Sequence, residues 1–257
     1  MDYNNIFKVP ETYKDLYVVG DIHGEIRELV FNITVKHEIK DSVIVVAGDV
    51  GLGFEKPAHY ENLWNRVKPR LVNNNNLILF IRGNHDDPDY FNGDKALNFD
   101  NMKSLPDYTK IIMNDKVILC IGGAVSVDRD WRSEQEKTCW WENEDILKLT
   151  DKEISKLEGR IYCVISHESP ISFLPVFNRD QIINTDSLFF DVMNSRDYLE
   201  KILWRCQPKR WYYGHYHKSM SSNNGRTQYR CLCIQELIRV PIEESDDTVL
   251  PEDSQNP

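Results

Sequence analysis

Apolar positions along the chain fall into short continuous runs that stop abruptly at polar, glycine-bearing turns, with amphipathic stretches in between. Leu16 to Val19 is such a run and predicts a buried strand; after it, Ile26, Leu29, Val30 and Ile33 recur at helical spacing between Glu25 and Lys36. Ser42 to Ala47, Val-Ile-Val-Val at its centre, predicts a second buried strand. Tyr60 to Leu71 predicts a helix with Leu63, Trp64 and Val67 on one side, and Leu77 to Ile81 a third strand. The three strands end in Gly20-Asp21-Ile22-His23-Gly24, in Gly48-Asp49, and in Arg82-Gly83-Asn84-His85-Asp86-Asp87-Pro88. Side chains just past the carboxyl ends of parallel strands converge on a crevice, the usual place for chemistry in an α/β protein.

From Lys110 the pattern changes. Ile111 to Met113, Asn114-Asp115 and Val117 to Ile121 predict an antiparallel hairpin, so the sheet arrangement is mixed. Gly122-Gly123 leads into a long loop from Ala124 to Glu144 that holds Arg129, Arg132, Trp140 and Trp141. Loops of this length inside a domain are commonly functional. Thr150 with Glu153 has the form of a capping box that opens a helix ended by Gly159. Ile161 to Ile165 is another buried strand and delivers Ser166-His167-Glu168-Ser169-Pro170; Ser187 to Cys206 has helical periodicity; Arg210 to Tyr213 is a strand ending in Gly214-His215-Tyr216-His217. Asn223-Asn224-Gly225 marks a hairpin, and Cys231 to Val240 is the last apolar segment. The expected organisation is one α/β domain over 1–242 followed by an acidic, disordered tail over 243–257.

Charge narrows the function classes. With 31 basic and 41 acidic residues the net charge is −10, which disfavours a broad electrostatic grip on extended nucleic acid. No apolar run reaches the length of a membrane span, the start of the chain lacks the features of a secretory signal, and the six cysteines show no paired-knuckle spacing. The expectation is a soluble, cytoplasmic protein with reduced thiols and no membrane partner. Cys231 and Cys233 would share a strand face, the one arrangement that could hold a soft metal.

Seven histidines occur, and His23, His85, His167, His215 and His217 lie in or beside turns that follow apolar strands. Asp21, Asp49 and Asn84 occupy the same kind of position. Taken one at a time, each histidine is better explained as capping or satisfying a turn; together the set supplies carboxylate, carboxamide and imidazole donors in numbers sufficient for two cations.

The ordered series Asp21-x-His23, Gly48-Asp49, Gly83-Asn84-His85-Asp86, His167 and Gly214-His215-x-His217 resembles the calcineurin-like metallophosphoesterase family. The resemblance implies a four-layer α/β/β/α sandwich of two mixed β-sheets. It further implies a dinuclear site with one metal on Asp21, His23, Asp49 and His217, the other on Asp49, Asn84, His167 and His215, and His85 as the catalytic imidazole beside them. The activity implied is hydrolysis of a phosphomonoester or phosphodiester by a hydroxide that bridges the metals. Mixed nitrogen and oxygen ligation suits Mn, Fe, Zn, Co or Ni better than Ca, with manganese the first expectation. The partner implied is a phosphorylated small molecule or a nucleotide.

The second motif departs from the family's protein phosphatases, in which Gly-Asp-x-Val-Asp-Arg-Gly is the pattern. Here it reads Gly48-Asp49-Val50-Gly51-Leu52-Gly53, without the acid and the arginine that would orient the histidine and clamp phosphate. Arg82, Arg129 and Arg132 are the expected substitutes for that clamp, with Trp131, Trp140 or Trp141 able to stack on a base. Two other readings use the same motifs: a nuclease or cyclic-nucleotide phosphodiesterase, and a scaffold that keeps the fold without catalysis. The scaffold reading fits poorly, because His85 and every expected ligand are present.

Overall fold

The structure, a computed structural model, describes residues 5–134, 140–157, 161–173, 175 and 186–243. The expectation of an acidic disordered tail falls almost wholly outside them, as does Cys139.

Alternation along the buried strands builds the layers. Strands β2 (Asp15–Val19), β3 (Ser42–Val46) and β4 (Asn76–Phe80) pair in parallel and in register. On one face Val19, Ile44, Val46, Ile78 and Phe80 pack with Ile26, Leu29 and Ile33, which follow β2, and with Tyr60, Leu63, Val67 and Leu71. The latter four line helix α2 (Pro57–Asn73). On the other face Leu16, Val18, Val43, Val45, Leu77 and Leu79 meet Ile111, Ile118, Cys120, Cys163 and Ile165 of a second sheet. The far side of that sheet, with Leu119, Val164, Trp211 and Tyr213, is covered by Ile154, Tyr198, Leu199, Ile202 and Leu203. Period-two alternation sends successive residues of each strand to opposite sides, so three apolar layers hold four structural layers, helix, sheet, sheet and helix.

The first sheet has the order β13-β2-β3-β4-β6-β5, with β5 (Asn98–Phe99), β6 (Met102–Ser104) and β13 (Leu237–Val240) at its margins. The second runs β1-β7-β8-β9-β10-β12-β11. Its strands are β1 (Ile6–Lys8), β7 (Lys110–Met113), β8 (Lys116–Ile121), β9 (Ile161–Ser166), β10 (Arg210–Tyr213), β11 (Met220–Asn223) and β12 (Gln228–Cys231). Both sheets are mixed: β13 and β5 run antiparallel to their neighbours in one, and β7/β8 and β11/β12 are antiparallel pairs in the other.

The helical segment after β2 has the predicted extent but is less regular than its periodicity predicts. Helix α1 (Ile26–Phe31) passes into a wider π-type turn over Asn32–Lys36. The long loop also contains structure. After α3 (Asp89–Asn92), a short helix α4 (Arg129–Ser133) carries two of its arginines. Helix α5 (Asp151–Ser155) opens with the expected capping box between Thr150 and Glu153. Helix α6 spans Asp186–Cys206. Among the described residues no helix is long and apolar enough to cross a membrane.

Candidate metal centre

The carboxyl ends of β2, β3, β4, β9 and β10 lie along one edge where the two sheets meet, and each is followed by residues of the predicted ligand set. The turns are held in uncommon backbone geometry: φ is +43° at His23, +47° at Asp49, +65° at His215 and +51° at His217. Non-glycine residues rarely adopt the left-handed region, and such strain persists only where the surroundings over-determine it. Here hydrogen bonds between turns do so. The N–H groups of Ile22 and His23 donate to the Asp49 carbonyl at 3.1 and 2.8 Å, and Gly24 N–H donates to the Val50 carbonyl at 2.8 Å. Asp86, fully buried, accepts N–H bonds from Val50, Gly51, Leu52 and Gly83 and locks the second motif to the third.

The two central carboxylates are aimed by backbone donors from other turns. Asp21 Oδ1 accepts from His215 N–H at 3.0 Å, and Asp49 Oδ1 accepts from His85 N–H at 2.9 Å. That leaves each Oδ2 turned to the imidazoles. Asp21 Oδ2 lies 2.9 Å from His217 Nε2 and 3.9 Å from His23 Nε2; Asp49 Oδ2 lies 3.9 Å from His23 Nδ1 and 3.8 Å from His85 Nε2. Glycine is required at two of these approaches. A Cβ at Gly83 would stand 2.1 Å from the Asp49 nitrogen, and one at Gly214 2.2 Å from Asp21 Oδ1.

Asp21, His23, Asp49 and His217 each offer one ligand atom, all within 4.8 Å of one another. Two buried carboxylates and two imidazoles, with His23 Nε2 and His217 Nε2 only 3.0 Å apart, form a donor set that calls for a cation between them. Asp21 Oδ2 is a buried oxygen whose near neighbours are the His217 and His23 ring nitrogens, which fits the same role. The groups therefore fit a divalent metal.

A second group adjoins the first through Asp49. His167 Nε2 is 3.2 Å from Asp49 Oδ1 and 2.9 Å from Asn84 Oδ1. The other ring nitrogen, Nδ1, is 2.8 Å from the Ala47 carbonyl, which can only accept, so Nδ1 carries the hydrogen and Nε2 faces the donor cluster. The Asn84 amide is oriented by donating to Ser126 Oγ at 2.8 Å; that hydroxyl in turn donates to Glu144 Oε2 at 2.5 Å. His215 packs against His167 with ring centroids 5.0 Å apart.

Electrostatics follow from this crowding. Burial opposes ionisation of Asp49, yet His167 and His85 hold its carboxyl far below the usual range. Burial likewise opposes a charge on His167, and Asp49 overrides it and pushes the imidazole up to about 10. A proton between the two occupies the place a cation would take. His85 is held below its ordinary value by burial, against the pull of Asp49 and with the help of Arg132.

A family model for the calcineurin-like phosphoesterases matches residues 15–219. The chain belongs to that family. The match covers every strand end that bears a predicted ligand, and it makes the Asp21, His23, Asp49 and His217 cluster the candidate metal site of a phosphoesterase. No curated protein sequence matches the chain significantly. Among solved structures, phosphopantetheinyl hydrolase from Mycobacterium tuberculosis is similar at 11% identity over 96% of this chain and 100% of that one, with a TM-score of 0.44. GAP50, the anchor in the inner membrane complex of Plasmodium, is similar at 16% identity over 86% of this chain and 72% of that one, also at 0.44. At these identities and scores the likenesses bear on neither substrate nor mechanism.

Of the three arginines expected to hold substrate, Arg132 comes closest to the calcineurin-like site, with Nη2 3.5 Å from His85 Nε2 and Nε donating to Asp128 at 2.7 Å. Arg82 is buried, and all five of its N–H groups are engaged by Asp107 and the carbonyls of Asn143, Glu144 and Asp145. It anchors the end of the long loop and has no donor left for a phosphate, so the clamp expectation does not fit its placement. Arg129 donates to Asp191 on α6 at 2.5 Å and ties α4 to that helix. Trp131 is exposed beside Arg132, while Trp141 packs over Gly53.

Ser126, Glu144, Glu168 and Arg196 have no role assigned from the sequence, and Asp86 stands there in the third motif without one. The available signals were the acid directly after His167 and a charged residue on the apolar stripe of α6, where Arg196 follows Val192 by one turn.

Proposed function

We propose that the protein is a dinuclear metal-dependent phosphoester hydrolase acting on a phosphorylated small molecule or nucleotide. The observation that carries this reading is the position of Asp49, whose Oδ2 faces His23 while Oδ1 lies 3.2 Å from His167, so that one carboxylate serves both donor groups. Asp21, His23, Asp49 and His217 would hold one divalent ion; Asp49, Asn84, His167 and His215 would hold the other, with manganese the first to try. When bound, such a pair supplies a water acidic enough to attack near neutral pH and neutralises phosphoryl charge.

The chain's own residues do the rest. Asp49 is held ionised and so offers both oxygens. His85, whose ring stands 3.8 Å from Asp49 Oδ2, is placed to carry a proton to the departing oxygen. Arg132 stands next to it as the guanidinium that the second motif lacks, suited to a phosphoryl oxygen.

The test is a substrate panel on metal-reconstituted protein: a phosphomonoester, a diester, cyclic nucleotides and single-stranded nucleic acid, each beside Asp49→Asn. Hydrolysis of at least one, lost together with bound metal in the variant, supports the reading. If loaded protein hydrolyses none of them and Asp49→Asn keeps its metal content, the reading fails. Turnover of the single strand alone would make it a nuclease on the same site.

A further inference from the structure

Behind His215 lies a charged cluster with no part in the ligand set. Glu168 directly follows His167 and is fully buried. Its Oε1 accepts from Ser169 N–H at 2.8 Å and from the Tyr216 hydroxyl, and lies 3.4 Å from Arg196 Nε. Arg196, on α6 and 1% exposed, also stands over the Tyr216 ring at 5.5 Å. Among the described residues Glu168 Oε2 accepts no hydrogen bond, and it is 3.8 Å from His215 Nε2. A buried ion pair is a poor source of stability, since apolar residues of similar volume commonly serve as well or better, so a pair set against a site histidine asks for another role.

We infer that Glu168, held by Arg196 and Tyr216, is a positioning residue that keeps the His215 hydrogen on Nε2 and so presents Nδ1 to the second cation. The inference rests on the dinuclear reading above. A carboxylate beyond the far nitrogen of a ligating imidazole fixes its tautomer and ring orientation. The Ala47 carbonyl does the same for His167 through the opposite nitrogen, Nδ1. The two neighbouring rings thus differ in which nitrogen they offer, and the difference is set by what backs each of them. His215 is further fixed through its main chain by the 3.0 Å bond to Asp21 Oδ1, so rotation of the ring is the freedom left for Glu168 to remove.

The experiment uses the full chain with Mn²⁺ as probe and two readouts besides activity. Ion number and affinity are measured by titration calorimetry and elemental analysis, and the His215 tautomer in metal-free protein by long-range ¹H–¹⁵N correlation. The variants are Glu168→Gln, Tyr216→Phe and the double Glu168→Met/Arg196→Met, which removes both charges together and leaves no unpaired one buried. Wild type should take up two ions and show the Nε2–H form of His215. The double variant should keep one ion at unchanged affinity, bind the second about 10- to 100-fold more weakly, and lose the Nε2–H preference. Should the double variant not fold, Tyr216→Phe and Glu168→Gln are judged by the same two readouts. Two ions at unchanged affinity with the Nε2–H form retained in folded variants would overturn the inference and leave the dinuclear reading standing. A wild type that takes up fewer than two ions would overturn both.

Discussion

Arg132 Nη2 lies 3.5 Å from His85 Nε2, which puts a guanidinium of the long loop beside the imidazole expected to handle the leaving group. The pair brings a guanidinium from α4 to the end of β4 across 47 residues of chain. Arg132 is also bonded to Asp128 at i−4, so its head is steadied from within its own helix. Arg132→Ala should raise KM or lower kcat by about 10-fold or more, the cost of a charge-assisted contact to phosphate, with metal content and Tm unchanged. Unchanged kinetics with every hydrolysed substrate would remove Arg132 from the site.

His85 touches the centre through two different atoms. Its N–H steadies Asp49 Oδ1, a backbone contact that survives any side-chain change, while its ring stands 3.8 Å from Asp49 Oδ2. His85→Ala should therefore retain bound metal and lose about 10²-fold or more in turnover. Elemental analysis of the same sample used for kinetics separates the two effects, and loss of metal in step with activity would make His85 a ligand rather than a catalytic group.

Arg82 behaves in the opposite way. Removing its side chain strands Asp107, which also accepts from Asn92 at 3.0 Å, and frees the carbonyls of Asn143, Glu144 and Asp145 from their donors. Breaking a buried pair of this kind costs about 3 to 5 kcal/mol. Arg82→Ala should unfold at markedly lower denaturant than wild type, and Arg132→Ala should not. Equal stability of the two variants would contradict the anchoring role.

The contrast between these arginines marks how far the sequence could be read. Ligand turns were legible because each interrupts an apolar run at Gly48-Asp49, Gly83-Asn84 or Gly214-His215, a local signal. The same runs gave an α/β domain with mixed strand pairing, and the four layers were implied by the family resemblance. Arg82 has no such signal. A guanidinium next to Gly83-Asn84 reads alike whether it faces a phosphate or an aspartate 25 residues away, and the carbonyls that engage it come from the far end of the loop. Ser126 and Glu144 stand at opposite ends of that loop and meet only through its closure on Asn84. Strands as short as Ile6–Lys8 and Asn98–Phe99 escape because two or three residues carry no period.

Glu144 also gives the centre a measurable pH response. Burial pushes its carboxyl up to about 7, against the Ser126 hydrogen bonds and the charge of Arg129. In the unfolded chain the group titrates near its ordinary value of 4.5, so between that pH and about 7 the folded protein holds a proton that unfolding releases. Stability contributed by the protonated form is complete below the lower value and is lost as pH rises through the upper one. Glu144→Gln keeps an acceptor for Ser126 and removes the titration. In metal-free protein the stability of the variant relative to wild type should therefore increase from pH 5 to pH 7.5, by on the order of 1 to 3 kcal/mol. Urea unfolding at several pH values measures it, and comparison with the variant cancels the other groups that titrate in the same window. A difference that stays flat over that range would mean that Glu144 is already ionised at pH 5 and that its Ser126 bonds outweigh burial.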